Sequence, residues 1–398
     1  TASGLAFRQI ENRIHDVLET YANTHSKEAS NADKTTDYYD IARSNLATNL
    51  ELTDEFAIIP SGCGTTAAIK HFQELMGLYI PPATKKRYGF SIDKSNAPLV
   101  IVGPYEHHSN EVSFREALCE IQRINLDKQG LVDLNHLKVV LEENKHREII
   151  ASFCIASNVT GIITPYEEIS KMLRSYNAIV CFDAAASSPY INIPCHLYDA
   201  MFMSPHKLLG GPASCGLLII RKSLVDTTIP PSFAGGGTVL YVNKTSQTYQ
   251  KDLEAREEAG TPPILQFIRA SLAYQLRNEI GFEFIKNRKD ELKDLFISEL
   301  KKIPNCLIYG NQEASNIGIV SFNIKGLSPY DLCNKLSLED GFQTRAGCSC
   351  AGPYGHDLLG IEKLDMNNRP GWVRISIHFS QTKEEIMNLV EGIKKAIN

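Results

Sequence analysis

Lys207 stands in Ser204-Pro205-His206-Lys207, after a short apolar run and ahead of Gly210-Gly211. A lysine in that setting suits a Schiff base with an aldehyde cofactor. Small neighbours leave room for a ring, and Ser and His can hydrogen-bond a phosphate. A surface lysine beside a glycine turn is the plainer alternative. Asp183 closes another apolar run and is followed by Ala184-Ala185-Ala186. A buried carboxylate needs a partner. A protonated ring nitrogen would supply one and keep the ring an electron sink, while a simple helix cap would serve the fold alone.

Ser61-Gly62-Cys63-Gly64-Thr65-Thr66 joins an apolar run to an amphipathic stretch. Its glycines let backbone approach closely, and the N–H groups of a helix start suit a phosphate at the positive end of the dipole. An N-cap is the alternative. The segment lacks the Gly-Lys-Ser/Thr ending of a P-loop and the glycine spacing of a dinucleotide site. Glu106-His107-His108-Ser109-Asn110 follows a further apolar run. His107 there could stack on an aromatic cofactor and move protons near neutral pH. Arg345-Ala346-Gly347-Cys348-Ser349-Cys350 opens a Gly/Pro-bounded turn with two thiols. One thiol could be a nucleophile with Arg345 as a nearby cation; a redox pair is the alternative. Zinc held with His356 is disfavoured, because one-residue spacing is unusual and a second pair is missing. No metal is therefore expected.

The elements that must position these residues follow from hydropathy. Residues 6–25, 36–50 and about 67–78 read as helices, with apolar positions three and four apart. Apolar runs at 56–60, 98–102, 148–155, 178–182, 200–203 and 214–220 read as strands. Continuous apolar strands alternating with helices predict an α/β chain with a largely parallel sheet covered on both faces. All but the last run end in polar, chemically capable residues, where such sheets bind ligands. One long helix over 264–302 is expected to lead to strands at 318–323 and 373–379 and a closing helix at 382–397.

Composition narrows the classes further. The 398 residues carry 41 Lys and Arg against 46 Asp and Glu, a formal charge of −5. Without a basic block, neither nucleic acid nor an anionic membrane is an expected partner. Hydrophobic content of 43% with 22% charged residues excludes a disordered chain. No apolar run approaches a membrane span, and no signal peptide is expected. Ten scattered cysteines form no disulfide framework, which points to a reducing, cytoplasmic setting.

Taken together, these segments resemble the fold-type I, class V pyridoxal-phosphate enzymes, and among them the short-loop cysteine desulfurases and selenocysteine lyases. The resemblance runs from Thr1 to the C-terminus with the motifs in order. It implies a large domain, 12–262, with a mostly parallel seven-stranded sheet. A smaller α/β domain, 1–11 with 263–398, would hold the interdomain helix and the cysteine loop. Pyridoxal 5'-phosphate would be bonded by Lys207. Gly64, Thr65, Thr66, Ser204 and His206 would take its phosphate, Asn158 its hydroxyl and Asp183 its ring nitrogen, with His107 stacked on the ring as proton shuttle. Thr261, in Ala259-Gly260-Thr261-Pro262, would reach the neighbouring subunit's phosphate in a homodimer. Arg374 and Ala2 would meet the substrate, and Cys350 would accept sulfur.

The implied reaction removes sulfur or selenium from L-cysteine or selenocysteine, leaving alanine and a Cys350 persulfide for a thiol-containing acceptor protein. Transfer by way of Cys348 is a further expectation. A class V aminotransferase or another carbon–sulfur lyase would not need Cys350, and a non-enzymatic sulfur-relay or scaffold protein would not turn over. Three departures from the pattern stand out. Ala186 replaces the usual Gln, the stretch from Cys350 to Arg374 is long, and Cys348 is an extra thiol that gives a Gly-Cys-x-Cys pattern like that of molybdenum-cofactor sulfurases.

Overall fold

Strands whose every residue is apolar need cover on both faces, and this chain supplies it with helices. The computed structural model describes residues 3–24, 28–90, 96–361 and 370–397. Its larger sheet consists of β1 (Phe56–Ser61), β2 (Leu99–Val102), β3 (Glu120–Arg123), β4 (Ile149–Cys154), β5 (Ile179–Asp183), β6 (Ala200–Met203) and β7 (Gly216–Arg221). The order is β1-β7-β6-β5-β4-β2-β3. Only β7 runs against its neighbours; β6, β5, β4, β2 and β3 pair in parallel. The seven-stranded, mostly parallel α/β sheet expected from the sequence is present. β3 lies outside the apolar runs, because Glu-Ile-Gln-Arg is a half-buried edge strand with one apolar residue in four.

Parallel pairing brings the carboxyl ends of β2, β4, β5 and β6 to one edge. The register Cys154 to Asp183 to Phe202 aligns three of those ends across the sheet. The helix Gly64–Leu75 covers one face, with Ala68, Ile69 and Phe72 fully buried. Phe72 meets Phe202 of β6 edge-on, ring centroids 5.4 Å apart. The opposite face forms a second core, to which Ile10, Leu46, Phe182, Met201 and Phe267 contribute.

After β7 come an exposed hairpin, β8 (Val239–Val242) with β9 (Gln247–Tyr249), and then the helical stretch. The single helix expected over 264–302 is two, Ile264–Ile280 and Phe282–Leu300. Gly281 separates them at φ +88°, a conformation closed to a continuing helix. A smaller antiparallel sheet follows: β10 (Cys306–Ile308), β11 (Ile319–Ile324), β12 (Arg345–Gly347) and β13 (Trp372–Ser376), in the order β10-β11-β13-β12. Its core joins Phe296, Phe322, Leu336, Val390 and Ile393, with the closing helix at Lys383–Ile397.

Phe202 lies two residues before Ser204, so packing on β6 and the site depend on the same strand. Phe202→Ala should cost about 3–5 kcal/mol and lower the urea midpoint, read by circular dichroism.

Candidate active site

Strand ends of the larger sheet, together with β11, β12, β13 and the turn at Cys350 from the smaller one, enclose a cleft. Its outer part is a cavity of about 190 Å³ whose walls include His107, Asn158, Lys207, Arg345, Cys350 and Arg374. A recess of about 30 Å³ reaches inward between Thr65, Tyr105, Cys154 and Asp183, sharing His107, Asn158, Ala186 and Lys207.

At the inner end, Gly64 opens its helix at φ +62°. A Cβ there would lie 2.8 Å from His206 Cε1 and 2.9 Å from Ser204 Oγ, so glycine is what lets the three meet. Cys63 gives the helix no side-chain cap. Instead Ser204 Oγ accepts the Thr65 N–H at 2.9 Å, and Thr66 Oγ1 lies 2.6 Å from Ser109 Oγ. A helix start, two threonine hydroxyls, a serine and a histidine make a cradle suited to a phosphate group. Burial, then Lys207, pushes the His206 imidazole below its usual range.

Asp183 ends β5 almost fully buried and accepts the Ala185 N–H at 2.8 Å. Burial raises its pKa, with Lys207 pulling the other way. It is therefore a carboxylate that a cationic partner would stabilise. Lys207 follows β6 in the short turn Pro205–Lys207. Burial lowers its pKa, Asp183 opposes, and Arg374 adds to the lowering. The amine is thus primed to act as a nucleophile or base.

His107 caps the helix His108–Arg115, its Nδ1 accepting the Ser109 N–H at 3.1 Å. Its pKa falls to about 4 through burial first, then Lys207, His108, Arg374 and Arg345. Beneath it sits Glu106, which sequence reasoning passed over. The buried carboxyl accepts the Cys154 N–H at 2.9 Å, the Gly103 N–H at 3.2 Å and the Asn110 amide at 2.6 Å. Burial raises it to about 7. An acid placed between an apolar run and two histidines was the available signal.

At the outer end, β12 and β13 set Arg345 directly opposite Arg374. Like charges in that relation repel, and no Asp or Glu among the described residues lines the cavity. Arg374 Nη1 donates to the Asn158 carbonyl at 2.8 Å, while its Nε is buried without a partner among the described residues. Burial, then Arg345, lowers Arg374 to about 10. Two guanidiniums without a counter-ion among the described residues suit a carboxylate ligand. Asn158 Nδ2 donates to the Ser349 carbonyl at 2.6 Å, and its Oδ1 is buried and unpartnered.

Cys350 is exposed at the rim. Ser349 and Cys350 hold φ +53° and +58°, a left-handed conformation that costs about 1–2 kcal/mol per non-glycine residue. Cys348 is outside the cavity wall, its thiol directed 3.0 Å from the Pro370 carbonyl. Thr261 is exposed in a bend before the Ile264 helix, away from this cleft. Ala2 lies outside the described residues. Pro189, Tyr190, Ile319, Ser349 and Ser376 complete the outer wall, and nothing in their spacing announced them. Among the described residues no cluster of three His, Cys, Asp or Glu could hold a metal.

The aminotransferase class-V family model matches residues 1–389. The chain belongs to that family. A probable cysteine desulfurase of Streptomyces coelicolor is 27% identical over 98% of this chain and 89% of its own length. One from Halalkalibacterium halodurans is 28% identical over 74% of this chain and 70% of its own. Two solved structures share the fold. Apo cysteine desulfurase from Thermococcus onnurineus NA1 superposes with TM-score 0.83 at 24% identity, covering 99% of this chain and 92% of its own. An S-sulfonic acid form of an Escherichia coli cysteine desulfurase gives 0.78 at 23%, covering 98% and 91%. This class-V chain is an enzyme of the same architecture.

The depressed His107 pKa carries a pH dependence. The unfolded imidazole takes a proton near 6.5, the folded one only near 4. Its contribution to stability is present above pH 6.5 and lost as pH falls to 4. His107→Asn should lose less stability than wild type between pH 7 and 4.5, measured as urea midpoints.

Proposed function

We propose that this class-V enzyme binds pyridoxal 5'-phosphate and removes sulfur, or selenium, from L-cysteine or selenocysteine. The observation that carries the reading is one cavity walled by Lys207, Arg374 and Cys350. An amine, a carboxylate clamp and a thiol meet there. The desulfurase names of its relatives support it.

The unpartnered Asn158 Oδ1 and the cradle around Gly64 fit the cofactor. Gly64, Thr65, Thr66, Ser204 and His206 hold its phosphate, Asp183 its ring nitrogen, Asn158 its hydroxyl, His107 its ring face and Lys207 its aldehyde. When bound, it supplies an electron sink that weakens bonds at the substrate's α- and β-carbons.

Arg374 clamps the substrate carboxylate with its guanidinium fork. Lys207, its amine held toward the neutral form by burial, takes the α-proton. Cys350 Sγ attacks the substrate sulfur. A sulfur–sulfur bond forms and the carbon–sulfur bond breaks, the carbon keeping the electron pair. Protonation of that carbon, with His107 as shuttle, and return of the α-proton by Lys207 leave alanine. The persulfide then passes to a thiol-containing acceptor protein.

A homodimer is part of the proposal. Thr261 is exposed near a hairpin that shows Leu240, Tyr241 and Val242 to solvent, as a residue serving a neighbouring subunit would be. The division into 12–262 and 1–11 with 263–398 belongs here too, supported by the two separate sheets, while Ile10 and Phe267 pack across that boundary into the core of the larger sheet. So does a cytoplasmic location, supported by ten unpaired cysteines. No helix among the described residues is long and apolar enough to cross a membrane.

Alanine release from L-cysteine by cofactor-loaded protein tests the reading. Cys350→Ala should lose about 100-fold or more in rate with cofactor absorbance intact. Equal release by the mutant would remove Cys350 from the reaction, and little release from either protein with cofactor absorbance intact would sink the reading in favour of a transaminase or other lyase. Arg374→Lys should raise KM about tenfold, the worth of one charge-assisted bond.

A further inference from the structure

We propose that His108 is a positioning residue for the turn that presents Cys350, an inference that rests on the desulfurase reading. Two bonds from this one residue bracket the thiol. Its backbone N–H donates to the Cys350 carbonyl at 2.9 Å. Its ring Nε2 accepts the Gly352 N–H at 2.8 Å, two residues further on. Acceptance at Nε2 places the ring's proton on Nδ1.

Three features make this grip matter. First, Ser349 and Cys350 both sit in the left-handed region at φ +53° and +58°. Such a pair in non-glycine residues persists only where surroundings fix it. Among the described residues, the external donors that do so are His108 N–H on the Cys350 carbonyl and Asn158 Nδ2 on the Ser349 carbonyl. Second, Gly352 begins the helix Gly352–Leu359, and Ala351 at its N-cap offers no side-chain acceptor. The His108 ring therefore supplies the cap from a distant part of the chain. Third, a Cβ at Gly352 would lie 3.0 Å from Nε2, so glycine keeps the approach open.

The neighbouring histidines divide two tasks. His107 lines the cleft beside Lys207, and His108 turns to the cysteine turn. Both stand on the segment after β2 that Glu106 ties to β4. Thiol and reaction centre thus share one support. His108 touches neither substrate nor reacting atoms; it acts through the turn.

The test uses cofactor-loaded His108→Ala and His108→Gln, the latter keeping an acceptor near Nε2. In His108→Ala, deuterium exchange of peptides covering 348–359 should quicken about tenfold, the effect of losing one hydrogen bond. The kcat for alanine release should fall by a similar factor, with KM and cofactor absorbance unchanged. His108→Gln should restore both exchange protection and kcat. Unchanged exchange or unchanged kcat in the alanine variant overturns the inference, as does a glutamine variant that rescues neither. A wild type that releases no alanine overturns the desulfurase reading instead, and that result comes from a separate measurement.

Discussion

The chemistry of this chain depends on the shared direction of β2, β4, β5 and β6. Parallel pairing forces their carboxyl ends to one edge, and each end delivers a different group: His107, Asn158, Asp183 and Lys207. A slip of one residue in the β4–β5 or β5–β6 pairing would turn Asp183, which stands on β5 itself, to the opposite face. Glu106 guards against that at one junction, accepting N–H groups from the end of β2 and from Cys154 on β4. The helix Gly64–Leu75 closes the same edge from β1.

Burial then sets the electrostatics. Asp183, Lys207, His107 and Arg374 all have pKa values displaced toward their neutral forms, with desolvation the largest cause in each. Such a site favours bound charge that compensates its own, an anion near the arginines and a cation near Asp183. Arg345 and Arg374, opposed across two strands, are held by the register of the smaller sheet. That sheet is thus part of the site, not a cover for it.

Much of this was legible in the residues. Apolar runs located six of the seven strands of the larger sheet within a residue or two, because strands buried on both faces cannot hide their composition. β3 escaped for the opposite reason, as an edge strand with Glu120 and Arg123 partly in solvent. The break at Gly281 was written as a glycine, but helical periodicity continues across it, and only a positive φ distinguishes a break from a tolerated glycine. Candidate residues at strand ends came together. Thr261 did not join them, and the dual engagement of Asn158, to Ser349 by its amide and to Arg374 by its carbonyl, is a tertiary contact that spacing alone does not reveal. The left-handed turn at Cys350 was equally invisible, since neither Ser nor Cys signals that conformation.

The cleft is dry at one end and wet at the other. Asp183 and Ser204 are shut away from solvent, whereas Cys350 lies at the rim. On the proposed reading, intermediates formed deep in the recess would be shielded from hydrolysis, while sulfur carried by the thiol would already be at the surface. Cargo would then be unloaded by a docking molecule that never enters the reaction chamber, and turnover and delivery would not need to take turns at the same doorway.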